Sequence, residues 1–151
     1  MHAIPYNDKY SIIYMYTEAF GRASYLVSRS RGKKSTVSKA LFIPLSVLEM
    51  EVEHLNKRDL HRIKETRISF PLNDVCCDPV KNVLALFLSE VLFRVVKDTE
   101  PDPRLFDYLC ESIHLLEYAD KGIANFHMVF LLGLLHHLGI FPVSYTHLRA
   151  H

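Results

Sequence analysis

A dense run of cations is the feature of this sequence best suited to chemistry. Four Lys or Arg residues crowd positions 29–34, and no acidic residue occurs between Glu18 and Glu49. The Lys and Arg side chains of such a loop repel one another unless an anion binds them. Nucleic-acid phosphates are suitable anions, because they pair with Lys and Arg and release their condensed counterions. The alternative is a merely solvated loop. The cations predicted to contact phosphate are Arg22, Arg29, Arg31, Lys33, Lys34 and Lys39.

Aromatic residues beside this run could stack on bases. Tyr14, Tyr16 and Tyr25 lie on two neighbouring predicted strands, and base stacking on an aromatic ring contributes about 1–3 kcal/mol per base. The alternative for each tyrosine is a position in the core or a cross-strand contact. Three later cations could extend the basic surface or instead pair with the glutamates at 49, 51 and 53; they are Arg58, Arg62 and Lys64.

Charge is divided unevenly along the chain, although the whole chain carries only +1. Residues 1–72 hold twelve Lys or Arg against seven Asp or Glu, a balance of +5. Residues 73–142 hold five against ten, a balance of −5. This asymmetry indicates two modules with different partners. The alternative, compatible with the first, is that the two halves attract each other and pack together.

Enzymatic and metal chemistry find little support in the sequence. The three cysteines, at positions 76, 77 and 110, form no C-x-x-C pair and no even disulfide set. The histidines at 127, 136 and 137 lie in an apolar stretch without nearby carboxylates. Neither a Walker glycine loop nor a Ser-His-Asp or Cys-His arrangement can be assigned. We therefore predict no catalytic residue, no metal ligand, no cofactor and no enzymatic turnover.

The first half of the chain carries the strands that must position the cations. Residues rich in β-branched and aromatic types at 11–17 and 22–28 flank a turn that ends at Gly21. Apolar and glutamate residues alternate over 48–53, which is typical of a half-buried strand. A further strand is predicted over 60–70, with an imperfect alternation that indicates a bulge.

Helical spacing replaces alternation after Pro71. Asp78-Pro79 and Asp102-Pro103 each predict an N-cap followed by proline at the first helical position. A third helix is predicted over 124–138, apolar nearly all round and therefore central, with Gly139 at its C-terminal cap. The run 126–141 is too short and too polar to span a bilayer. Strands grouped before helices predict an α+β fold in two segregated domains.

Five segments in this order resemble the bacterial RecO family of recombination mediators. They are Tyr6–Ser11, Tyr16-Thr17…Gly21-Arg22, Val27–Ser35, Leu41…Leu48-Glu49 and Asp59–Glu65. The resemblance implies an N-terminal OB-fold-like β-barrel over residues 1–72 and an all-α helical domain over 73–142. Residues 143–151 do not continue the pattern and are expected to be a non-native tail.

The resemblance also implies a function and partners. RecO-like proteins bind single-stranded and double-stranded DNA, anneal complementary strands without ATP, and help load the recombinase with RecR and single-strand-binding protein. A cytoplasmic, nucleoid-associated protein without membrane contact is expected. The barrel is expected to be open at one edge, and the cysteine zinc site of some relatives is not carried over. The alternatives are a protein-interaction adaptor whose helical half binds a partner tail, and an RNA-binding OB module.

Overall fold

Residues 2–5, 10–28, 43–53 and 60–140 are the part of the chain that a computed structural model describes. The strands come first: β1 (His2–Pro5), β2 (Tyr10–Thr17), β3 (Gly21–Ser28), β4 (Val47–Glu53) and β5 (Leu60–Phe70). The helices follow: α1 (Asn73–Cys77), α2 (Pro79–Val95), α3 (Pro103–Tyr118) and α4 (Phe126–His137), with a 3₁₀ turn at Ile123–Asn125. This order confirms the predicted α+β class.

The five strands form one sheet in the order β1-β2-β3-β5-β4. Neighbouring strands are antiparallel except β3 and β5, which run parallel and pair Ser24 with Leu60. An irregularity of the predicted kind occurs where β5 pairs with β4, whose register shifts between Val47 and Leu48 and again between Glu51 and Val52. Within the described strands no pairing joins β1 to β4, so the sheet is not closed and the OB-fold barrel is not confirmed.

Alternation along the strands separates two faces of the sheet. Ile13, Tyr25 and Val27 are buried on one face of the sheet. The opposite face of β2 and β3, which carries Tyr14 and Arg22, meets the helices. On β4 the three glutamates are exposed and the apolar residues between them are partly buried, as the sequence predicts.

Both predicted N-caps are confirmed. The Asp78 carboxylate accepts hydrogen bonds from the backbone N–H groups of Val80 and Lys81, at 2.8 and 3.2 Å. Asp102 accepts from the N–H groups of residues 104 and 105 in the same way, at 3.1 and 3.2 Å. Each aspartate precedes a proline at the first helical position, where a missing N–H costs nothing.

The helical core is built around Leu88, Leu116 and Leu134, which are almost completely buried. Helix α4 contributes to it with one side only, so the prediction of a central helix is wrong. Its exposed side carries Val129 and Leu132, at 67% and 60% exposure. A helix with apolar residues on every face is expected to be buried on every face. In α4, however, the described helices cover only one face.

The end of α4 follows the sequence more closely. Gly139 adopts a φ of 74°, and its N–H donates to the His136 carbonyl while the N–H of Ile140 donates to that of Leu135. This paired arrangement is the Schellman motif that a glycine permits after a helix. No helix in the described residues is long and apolar enough to cross a membrane.

Candidate nucleic-acid interface

The β2–β3 hairpin leads directly into the basic run. Strand β3 ends at Ser28, and the dense run of cations begins at Arg29. Thr17 organises the turn, since its hydroxyl donates to the Gly21 carbonyl at 2.9 Å and accepts from the Phe20 N–H at 3.0 Å. The hairpin therefore fixes where the basic run leaves the sheet.

Arg22 holds this hairpin against the end of α2. Its Nη1 donates to the carbonyl oxygens of Phe93 and Val96, at 2.7 and 3.1 Å. The guanidinium carbon also lies 4.6 Å from the ring centroid of Phe93 and 5.1 Å from that of Tyr14. The C-terminal carbonyls of a helix are unpaired and carry partial negative charge, so a cation is favoured there.

The structure thus gives Arg22 a role that was not predicted from the sequence. Its partners are carbonyl groups and aromatic rings at the junction between the sheet and the helices. One signal for it was present: alternation along β3 puts residue 22 on the face opposite buried Tyr25 and Val27, where the helices pack. A phosphate contact by Arg22 stays a prediction.

Tyr14 and Tyr16 also lie at this junction. The Tyr14 ring meets that of Phe93 edge-on at 5.2 Å between centroids, and the Tyr16 ring stacks against that of Phe106 at 6.5 Å. Burial raises the pKa of the Tyr16 hydroxyl, and the carboxylate of Asp102 adds to the rise. Both rings are engaged by helices α2 and α3, which is the packing alternative considered for them above.

Tyr25 lies deeper, on the inner face of the sheet. Its side chain is only 1% exposed, its ring lies 6.0 Å from that of His61, and burial raises the pKa of its hydroxyl. A ring that is covered in this way has no free face for a base. Tyr25 therefore fills the core in this structure, which is the alternative considered for it above, and base stacking by Tyr25 stays a prediction.

The remaining predicted phosphate contacts lie outside the described residues. They are Arg29, Arg31, Lys33, Lys34 and Lys39, together with the possible extension at Arg58. Their contact with nucleic acid stays a prediction, based on the sequence.

Strand β5 carries the other possible extension of the basic surface. Arg62 and Lys64 are exposed on it, and Arg62 lies opposite Glu53 in the register with β4. Arg67, which the register places opposite Glu49, forms an ion pair with it across this hairpin. Exposed pairs of this kind are worth only about 0.2–1 kcal/mol, so they mainly set register. Cations and carboxylates share this surface, which makes it a weaker anion site than the basic run.

The described part of the chain contains no group of three or more His, Cys, Asp or Glu side chains that could hold a metal ion. The described cysteines Cys76, Cys77 and Cys110 are free thiols. Burial raises the pKa of the Cys76 and Cys110 thiols, which favours their neutral form.

Comparison with known proteins matches both halves of the chain. The family model for the N-terminal part of recombination protein O matches residues 1–71, and the model for its C-terminal part matches residues 77–147. The chain belongs to the RecO family. The second match passes residue 142, where the sequence resemblance was expected to end. The two matches meet near the end of β5, where strands give way to helices.

Individual RecO proteins are similar in sequence to nearly the whole chain. The DNA repair protein RecO of Azobacteroides pseudotrichonymphae is 40% identical over 142 residues, which is 94% of this chain and 59% of that protein. Those of Bacteroides fragilis and Porphyromonas gingivalis are each 42% identical, with the same shares covered. The chain therefore spans about three-fifths of the length of these RecO relatives.

Arg22 offers a direct test of the junction. We expect Arg22→Ala to lower the free energy of unfolding by about 2 kcal/mol, because two charge-assisted hydrogen bonds and two cation–π contacts are lost. Urea denaturation measures this loss. The matched control is Arg94→Ala, which removes an exposed arginine that pairs with Glu90 on its own helix and should cost about 0.5 kcal/mol or less. Equal losses in the two variants would contradict the junction role.

Proposed function

We propose that this RecO-family chain binds single-stranded DNA through the basic run at 29–39 and anneals complementary strands during recombinational repair. The observation that carries the proposal is the five cations that follow β3 without an intervening carboxylate: Arg29, Arg31, Lys33, Lys34 and Lys39. Membership of a family of DNA repair proteins supports it.

The mechanism follows from charge and attachment. Each phosphate that a guanidinium or ammonium group neutralises releases a condensed counterion, and this release drives binding. Annealing requires two strands that repel each other to come close, and a cationic segment screens both. Arg22 fixes the β2–β3 hairpin to α2. The cationic segment therefore follows a strand that is held in place. The acidic helical half repels DNA and directs it toward the basic half.

Further parts of the proposal come from the family resemblance. The sheet is proposed to complete an OB-fold barrel, whose strand faces and loops bind nucleic acid. The protein is proposed to bind duplex DNA as well, to work with RecR and single-strand-binding protein in recombinase loading, and to act in the cytoplasm at the nucleoid. It acts by binding, without enzymatic turnover.

A quadruple variant tests the site. Replacing Arg29, Arg31, Lys33 and Lys34 together by alanine should weaken binding of a fluorescent oligothymidine by about tenfold or more near 0.1 M salt, because about four phosphate contacts are lost. Fluorescence anisotropy measures the affinity, and quenching of paired labelled oligonucleotides measures annealing.

The control removes the same number of cations from the helical half. It replaces four exposed residues by alanine: Arg94, Lys97, Arg104 and Lys121. We expect this control to keep its DNA affinity, because its basic run is intact. The two variants change net charge equally and differ only in where the cations are removed. Equal affinities in both quadruple variants would refute the site. Tighter binding of an RNA oligomer of the same length would favour the RNA-binding alternative.

A further inference from the structure

A groove lies on the acidic helical half. It encloses about 850 Å³ along α3. One wall carries Asp107, Glu111, Leu115 and Tyr118, spaced by three or four residues and so aligned on one face of the helix. The other wall is the segment that leads into α4, including Phe126.

The end of β5 contacts two of the residues that line this groove. The Phe70 ring stacks on that of His114 at 3.8 Å between centroids and meets the Tyr118 ring edge-on at 5.8 Å. The edge contact with Phe70 leaves Tyr118 71% exposed. Leu115, one turn away, is 65% exposed. A concave surface with two large apolar side chains held open to solvent is typical of a binding site.

Charge at one end of the groove identifies the kind of partner. Asp107 and Glu111 are both exposed there. Their carboxylates, with that of Glu18 from the β2–β3 turn, add to the rise that burial causes in the pKa of the Cys110 thiol. Cys110 lines the groove, so the negative potential reaches into it. Lys121 is the only Lys or Arg among the described residues that line it.

We propose that this groove binds a protein segment that combines apolar side chains with Lys or Arg. Leu115 and Tyr118 contact the apolar side chains, and Asp107 and Glu111 pair with the cations. The same carboxylates repel phosphate, so the groove excludes DNA. Protein and DNA would then occupy surfaces of opposite charge, and one chain could hold both. The inference stands apart from the proposed DNA binding.

Two synthetic peptides test this proposal. Each spans about four helical turns with leucine along one face, and the other positions are lysine in the first peptide and glutamate in the second. Fluorescence anisotropy of the labelled peptides should show binding of the leucine–lysine peptide to the full chain and none of the leucine–glutamate peptide. Asp107→Lys with Glu111→Lys should weaken binding of the first peptide about tenfold, and Leu115→Asn should weaken it independently.

The matched control reverses two carboxylates on β4, Glu51→Lys with Glu53→Lys. It changes net charge equally and should keep the peptide affinity. Equal binding of both peptides, or equal effects of the two charge reversals, would overturn the proposal. Sedimentation of the unmodified chain tests whether a second copy of the chain occupies the groove instead. A dimer that Leu115→Asn dissociates would show this and would also overturn the proposal. The quadruple alanine variant at 29–34 should keep peptide binding, which separates this test from that of DNA binding.

Discussion

Gly21→Ala is expected to lower the free energy of unfolding by about 3 kcal/mol, one of the two largest effects predicted for a single substitution. Gly21 ends the β2–β3 turn with a φ of 63°, where an alanine is strained by about 1 kcal/mol. A Cβ at this position would also lie 2.5 Å from the Glu100 carbonyl oxygen and 3.0 Å from that of Asp98. Both obstacles are backbone atoms of the α2–α3 linker, so they cannot rotate away.

The same linker explains why the collision matters. The Arg22 N–H donates to the Asp98 carbonyl at 3.0 Å, so the turn and the linker approach each other through backbone on both sides. An added methyl group must push them apart and loosen the contacts of Arg22 with α2. Thermal unfolding followed by circular dichroism should show the midpoint fall by about 10 °C.

Gly139→Ala is the matched control for this substitution. Gly139 also has a positive φ, of 74°, but a Cβ there would meet nothing within 4 Å. It should therefore cost only the backbone strain of about 1 kcal/mol. The difference between the two variants isolates the collision with the linker. Similar losses in both would contradict the close approach of the turn to the linker.

Glu117→Ala is expected to cost a similar amount, about 3 kcal/mol, because it leaves buried groups without partners. The Glu117 side chain is buried on α3, and its two carboxylate oxygens accept from the N–H groups of Asp74 and Val75, at 2.8 and 2.9 Å. Buried Lys81 completes the cluster: its Nζ donates to the Glu117 carbonyl at 2.8 Å and lies 3.6 Å from the Asp74 carboxylate. These contacts join α1, α2 and α3 directly after the sheet.

Two controls separate this cluster from effects of the helix itself. Glu111→Ala makes the same chemical change at an exposed position of α3 and should alter stability by about 0.5 kcal/mol or less. Glu117→Gln keeps the shape and one acceptor oxygen, so it should cost about 1 kcal/mol. Urea denaturation ranks the three variants. A Glu117→Ala variant as stable as Glu111→Ala would show that the cluster does not hold the helices together.

Local signals explain which elements could be predicted from the sequence. Asp78-Pro79 and Asp102-Pro103 place cap and proline side by side, so each helix start is encoded within a few residues. The alternation over 48–53 likewise specifies a strand with one exposed face. Helix α1 was not predicted, because its N-cap, Leu72, offers no side-chain hydrogen bond. Its first N–H groups are satisfied by Glu117, 42 and 43 residues away.

Long-range contacts account for the differences at the candidate site. Arg22 belongs to the cation run by sequence, yet its guanidinium bonds to Phe93, 71 residues later. Tyr14 and Tyr16 resemble stacking platforms in a strand, and only the docking of α2 and α3 shows that their rings pack at the junction. Charge counting could locate the basic run, but it could not separate a cation that supports the hairpin from one that is left for DNA.

The central claim is that the cations that follow β3 bind DNA phosphates. The salt dependence of DNA binding tests this claim most directly. The logarithm of the oligothymidine affinity is measured against the logarithm of salt concentration for the chain and for the variant with Arg29, Arg31, Lys33 and Lys34 replaced by alanine. Since each single-strand phosphate contact contributes about 0.7 to this slope, the slope should become shallower by about 3 in the variant. Parallel slopes for the chain and the variant would contradict the claim.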